Sequence, residues 1–380
     1  MTLPKRHRLS GAGIGLLVLG CELWAAAVHA EEPDQLASSI YIRTDSDDTL
    51  VVAPRLHALL PIEEATKLNV TYAVDVWTSA SIDIMTSASK VPVTEQRDEL
   101  DFGLDHALGD LTLSGSYRYS TEPDYVSNGG ALGLSYEFAD NNASFAAGLS
   151  GSSDSVGKAG DPGFDEAVGT VGGRLSFSQV LGKETVAVLI YELARARGYL
   201  ASPYRYVAIG GDGRCTAPYG EQGTLGPLCV PEATPGTRLR HALALELRHA
   251  FGASWSIGGG YRFYLDDWSL QSHTLKAELG WLIEADTMLA ARYRFYTQGA
   301  AEHYRAVYLT PQPHVTTDKE LSPLSSHRIG LELDQRWPLG EERSLRAILS
   351  LAPIFYSYRD FPPLQSITAL ELSATLVFTP

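Results

Sequence analysis

Charged residues at every second position are the part of this chain that could do chemistry. In "TRLRHALALELRHAF" (237–251), Arg238, Arg240, Glu246 and Arg248 share one face of a period of two, while Leu243, Leu245 and Leu247 share the other. The same count puts Arg262, Arg292, Arg294 and Arg328 on the charged face of their segments, and Glu99, Asp101 and Asp105 on that of "EQRDELDFGLDHAL" (95–108). If such faces line a water-filled lumen, Arg248, Arg262, Arg292, Arg294 and Arg328 form a basic side, and Glu99, Asp101 and Asp105 an acidic side. Small anions would run past those arginines in a transverse field at reduced dielectric. The alternative is that the same charges neutralise one another in pairs and plug the lumen.

Three other groupings carry reactive side chains. Cys215 and Cys229 sit in the Gly/Pro-rich segment "GGDGRCTAPYGEQGTLGPLCVPEATPG", where an oxidising compartment favours a disulfide closing a small ring. Metal ligation needs more thiolate or imidazole partners than this His-free segment offers, so neither metal nor cofactor is expected. "SLQSHTL" brings His273 near Ser269 and Ser272, a pairing that an interfacial lipid hydrolase would use. It has no carboxylate orienter within the segment, so no catalytic residue is assigned and an enzyme is not the expectation. "TDSDD" (44–48) could collect Ca²⁺ through Asp45, Asp47 and Asp48, yet it lacks the glycine and terminal glutamate of an EF-hand loop. A solvated acidic turn fits it better.

A period of two requires β-strands, because successive side chains point to opposite sides of the pleat. "LTLSGSYRYS" (111–120) alternates without a slip, Leu111, Leu113, Tyr117 and Tyr119 against Thr112, Ser114, Ser116 and Arg118. About sixteen such segments, from 37–45 to 366–378, follow one another. Their connections alternate: "PIEEATK", "LGD", "ADNN", "LGK", "GAS", "EADT" and "PLGEE" are short. Between them fall the long "TSASIDIMTSASKVP", "GSSDSVGKAGDPGFD", 198–236 and 299–324. Short turns on one side and long loops on the other belong to a membrane barrel, with its turns in the periplasm. Trp255, Trp281 and Trp337 lie beside the short turns, as an interfacial belt requires, and Trp268 lies at the tip of an outer hairpin. The predicted fold is a single transmembrane, antiparallel, up-and-down β-barrel of about sixteen strands. Its weakest member is "SIYIRTDS", which must pair with the strand ending at Phe378 if the barrel is to close.

The chain opens on the basic "MTLPKRHRLS", an apolar run and Val28-His29-Ala30, which reads as a cleaved signal peptide of residues 1–30. Leu19-Gly20-Cys21 loosely matches a lipoprotein signal, the alternative processing. Cleavage after Ala30 leaves the barrel domain 31–380, with its disulfide-containing loop at 198–236. It removes three basic residues and one acid, taking the formal net charge from −15 to about −17. So acidic a chain is a poor nucleic-acid binder. The expected partners are the lipid bilayer, barrel-insertion machinery and small solutes, and the expected location is the bacterial outer membrane.

"STEPDYVSN", "ADNNASFAAGLSGSSD", "RARGYLASPYRYV", "TRLRHALAL", "YRFYLDDWSLQSHTLKAEL" and "RYRFYTQGAAEHYR" resemble a family of bacterial outer-membrane barrels known as domain of unknown function 3570. The resemblance runs from about "TLVVAPRLHALLP" to the C-terminus. It departs in the Cys-containing insertion after "SPYRYV" and in ending "LVFTP" rather than on an aromatic residue. It implies fold and location and supplies no site residues. Two function classes stay open: a pore or solute-permeation channel, wide enough at sixteen strands to hold water, and a plugged barrel acting as a binding or envelope-assembly module. An interfacial lipid hydrolase ranks third.

Overall fold

The computed structural model describes residues 35–79, 93–210, 215 and 228–380. The expected signal segment with Cys21, the connection 80–92, and most of the Gly/Pro-rich loop between 211 and 227 lie outside the described residues.

Sixteen strands close into one antiparallel barrel. In chain order they are β1 (Gln35–Asp45), β2 (Thr49–Glu63), β3 (Thr66–Ser79), β4 (Val93–Leu108), β5 (Leu111–Glu122), β6 (Tyr125–Phe138), β7 (Ala143–Val156), β8 (Glu166–Gly182) and β9 (Thr185–Gly198). After a small hairpin, β10 (Tyr206–Ile209) and β11 (Leu228–Pro231), come β12 (Thr237–Phe251), β13 (Trp255–Asp266), β14 (Gln271–Glu284), β15 (Thr287–Gln298), β16 (Leu324–Pro338), β17 (Ser344–Tyr358) and β18 (Ser366–Thr379). Barrel strands pair with their neighbours in sequence, β9 pairing directly with β12. The short first strand does close the barrel: Leu36 lies opposite Phe378 and Tyr41 opposite Ser373. Closure leaves no unpaired edge, which is the condition for a sheet to stand in lipid.

Alternation fixes the two faces. Leu132, Leu149 and Val171 point outward and are 72%, 70% and 67% exposed, within a continuous apolar band that a soluble protein would bury. Near the tight turns the band ends in stacked Trp255 and Trp281, 5.2 Å apart, with Tyr136, Phe138 and Phe177 in a second group. Toward the other end, three outward tyrosine hydroxyls meet histidine Nδ1 atoms: Tyr191 with His241 at 2.8 Å, Tyr261 with His273 at 2.7 Å, and Tyr293 with His327 at 2.8 Å. Such rings have an apolar body and a polar tip, which suits the boundary of lipid and water.

The long loops fold into a cap at the end away from the tight turns. The chain leaves the wall at Gly198, whose φ of +130° is closed to other residues and whose added Cβ would run into the Ala167 carbonyl. The β10–β11 hairpin is locked by a Cys215–Cys229 disulfide with Cα atoms 5.8 Å apart. Single bridges join it to the loop 299–323, Ile209 to Tyr308 and Ala233 to Val315. Val207, Ile209, Tyr308 and Val315 form one apolar cluster; Trp268, Leu270, Ala301, Tyr304 and Leu321 form another. A third joins Leu324, Tyr358, Phe361 and Ile367. Trp268 therefore belongs to the cap interior, not to an interfacial belt. The Arg238 guanidinium stacks 4.3 Å from its ring, and the indole donates to the Thr237 carbonyl at 2.9 Å.

Candidate functional site

The lumen wall carries the charges, and the strand register decides which of them meet. Arg248 on β12 and Glu278 on β14 both stand opposite Gly258 on β13, and their side chains bond at 2.9 Å across that glycine. Glu246 and Lys276 do the same across Gly260 at 3.0 Å, where an added Cβ would press on Glu246 at 3.3 Å. Arg262 reaches over β12, where Ala242 and Ala244 leave room, to Glu192 on β9 at 3.0 Å. Arg328 likewise crosses β17 to Glu371 on β18 at 2.8 Å. Small residues on the intervening strand thus let charges pair with second neighbours along the wall.

Four of the five arginines expected to form a basic side are consequently matched to carboxylates. Arg292 is held between Glu278, at 2.7 Å, and Glu332, whose Oε1 accepts from Nη2 at 2.8 Å. Arg294 differs. It makes no ion pair among the described residues, and its buried Nε has no hydrogen-bond partner. On the facing wall, Asp101 accepts from Arg118 at 3.2 Å with Glu99 3.9 Å from the same nitrogen, and Asp105 accepts from Asn69 at 2.7 Å. Every barrel-strand ion pair described joins residues of the same, adjacent or next-adjacent strands, and none crosses the lumen.

The cap is tied to the rim by buried polar groups. Tyr204 donates to Asp124 in the β5–β6 turn, and Lys158 lies 6.0 Å from the Tyr204 ring and 5.4 Å from that of Tyr206. Tyr304 donates to the Asp360 carbonyl at 2.5 Å. Inside the cap, Glu232 accepts from Ser202 N at 2.6 Å and from the Thr316 hydroxyl at 2.5 Å, with Arg205 at 3.4 Å. Burial still pushes its carboxyl above the usual range, and Arg205 opposes that shift. His303 packs against Trp268; burial first, then His314, lowers its pKa from 6.5 to about 4.

Other expected groupings are rearranged. His273 faces outward against Tyr261 and Phe263, whereas Ser272 points into the barrel and Ser269 sits in the turn with φ +64°. Adjacent residues of a strand face opposite ways, so no Ser–His pair forms. In "TDSDD", Asp45 accepts from the Asp47 and Thr49 amides, both at 3.0 Å, and Asp47 is buried against Lys319. The turn is a cap anchor rather than a solvated loop. The cap itself has no clear signal in the sequence beyond its two cysteines and the Gly/Pro content around them.

Comparison with known proteins agrees with this architecture. The model of a family described as "Protein of unknown function (DUF3570)" matches residues 78–168 and 161–348, well over half of the chain. No curated protein matches it significantly in sequence. Among solved structures it is similar to a bacterial polysaccharide outer membrane secretin, with 9% identity, 92% of this chain and 99% of that one covered, and a TM-score of 0.51. It is also similar to the toluene transporter TodX of Pseudomonas putida (12% identity, 92% and 89% covered, TM-score 0.40). A loop L8 deletion mutant of OmpT, an outer membrane protein of Vibrio cholerae, matches at 8% identity over 90% and 98% of the two chains, TM-score 0.42. At such identities the likeness is one of fold, carried by the first, and the fold is that of bacterial outer-membrane barrels.

Proposed function

The chain belongs to the family of unknown function DUF3570, and we propose that it is a solute-permeation pore of the bacterial outer membrane, narrowed at its outer mouth by the folded cap. One observation carries this reading: the strand ion pairs run along the wall and, among the described residues, leave the lumen unbridged. A plugged barrel would instead be expected to tie opposite walls together. Arg248 keeps 67% of its side chain exposed while bonded to Glu278, as a group beside water would. Residues 1–30 would direct export, barrel-insertion machinery would assemble the strands, and the tight turns would lie in the periplasm.

Planar-bilayer recording on folded protein tests the pore. Intact protein should give small conductance steps, and protein lacking 299–324 larger ones. No current from either would leave the plugged binding barrel as the reading. Protease added to intact cells should cut within 198–236 and spare "PLGEE"; the opposite result would invert the topology.

A further inference from the structure

Two arginines face each other in the wall without an anion between them. Arg294 on β15 and Arg328 on β16 are direct register partners, so their Cβ atoms lie roughly 5 Å apart, where like charges are destabilising. Arg328 is turned toward Glu371; Arg294 makes no ion pair among the described residues, and the charge of Glu320 acts on the Tyr296 and Tyr356 rings beside it. One step toward the outer mouth, Tyr296, Ser326 and Tyr356 occupy the next inward row on β15, β16 and β17. Ser326 is buried between the two rings, and both tyrosines pack on the cap cluster of Leu324, Tyr358 and Phe361. Arg43 stands 5.5 Å from the Tyr356 ring on the far side. No hydrogen bond to the Tyr356 hydroxyl is present among the described residues.

A cationic floor below two aromatic rings, at the underside of the cap, is a site with two chemical demands. The guanidinium of Arg294 asks for a planar anion that can accept two N–H bonds. The rings of Tyr296 and Tyr356 ask for a flat apolar body. We propose that this niche binds a small organic carboxylate bearing a ring, its carboxylate at Arg294 and its ring against Tyr296 and Tyr356. The proposal deepens the pore reading, since it rests on solutes reaching the lumen.

Titration calorimetry on the full folded protein in detergent tests it independently of conductance, with benzoate, acetate and benzamide as probes. Benzoate should bind at least about tenfold more tightly than either, acetate lacking the ring and benzamide the charge. Arg294→Gln should weaken benzoate by about tenfold, and Tyr356→Leu, which keeps the cap contact apolar, should reduce benzoate to the level of acetate while leaving acetate unchanged. Heat-modifiable migration on gels would verify that each variant is a closed barrel. Benzoate binding no tighter than acetate, or unaltered by Arg294→Gln, would overturn the site even in a conducting pore. Benzoate binding as expected without any current would keep the site and defeat the pore.

Discussion

Lys319 Nζ stands 3.5 Å from Asp47 Oδ2, joining the loop between β15 and β16 to the turn between β1 and β2. Two barrel strands, β17 and β18, lie between the two hairpins along the wall, so the contact holds the cap to a part of the rim beyond its own strands. Both side chains are largely buried, which sets this pair apart from the exposed ion pairs of the lumen. Replacing Lys319 by Ala leaves a buried carboxylate with one fewer partner, at about 1–3 kcal/mol, enough to raise the loosened fraction of the cap roughly five- to 150-fold. The expected result is more frequent large openings in bilayer recordings with unchanged heat-modifiable barrel migration. Unchanged gating would mean that the cap is held without this contact.

The Cys215–Cys229 bond closes a ring across 14 positions, worth on the order of 3 kcal/mol by chain entropy. Its effect is confined to the hairpin because neither cysteine contributes to the barrel. Cys215→Ser, or reduction, should speed proteolysis within 198–236 and leave the melting of the barrel where it was. Free thiols at both positions in protein taken from the outer membrane would contradict the pairing.

The barrel was legible in the sequence because period-two patterning and turn residues are local signals. All sixteen expected segments are strands, including "SIYIRTDS", whose partner lies at the opposite end of the chain. The cap was not legible. Its apolar residues, such as Val207, Tyr304 and Phe361, come from three loops and show no period, and tertiary contact alone brings them together. The ion pairs fall between. Alternation revealed which charges face inward, but Arg262 with Glu192 and Arg328 with Glu371 depend on register across an intervening strand. The alanines of "HALALEL" lie under the first of these pairs and the glycines of "SIGGGYRF" under Arg248–Glu278 and Glu246–Lys276, and such small residues mark a break in an otherwise bulky wall.

Two cap groups, the half-buried His303 and the buried Glu232, should make the cap respond to pH with opposite signs. His303 has its pKa lowered from 6.5 to about 4, so the folded cap prefers the neutral ring and loses stability as pH falls from 6.5 toward 4. Glu232 is raised by burial, so its contribution is present at low pH and is lost as pH rises from the ordinary carboxylate range toward the raised value. Glu232→Gln leaves only the histidine, and acidification should then open the cap. His303→Gln leaves only the carboxylate, and acidification should tighten it. Amide exchange in 206–209 and 228–231 would read both; variants that respond alike would refute the assignment.

Selectivity separates Arg292 from Arg294, although the sequence places them two residues apart on one face. Arg292 is shared by Glu278 and Glu332, so its charge is largely spent in the wall. Arg294 makes no ion pair among the described residues. Arg294→Glu should therefore shift the reversal potential toward cations with little change in barrel melting. Arg292→Glu would bring a third carboxylate between two others, turning two attractions into repulsions. That costs more than losing an exposed pair, which is worth about 0–1 kcal/mol, so a lower melting temperature should appear before any clear change in selectivity. If the two reversals moved the reversal potential equally and left stability alone, the pairing of Arg292 would carry no weight in solution. A transverse field of five free arginines would then describe the lumen better than a wall of matched charges with one cation left over.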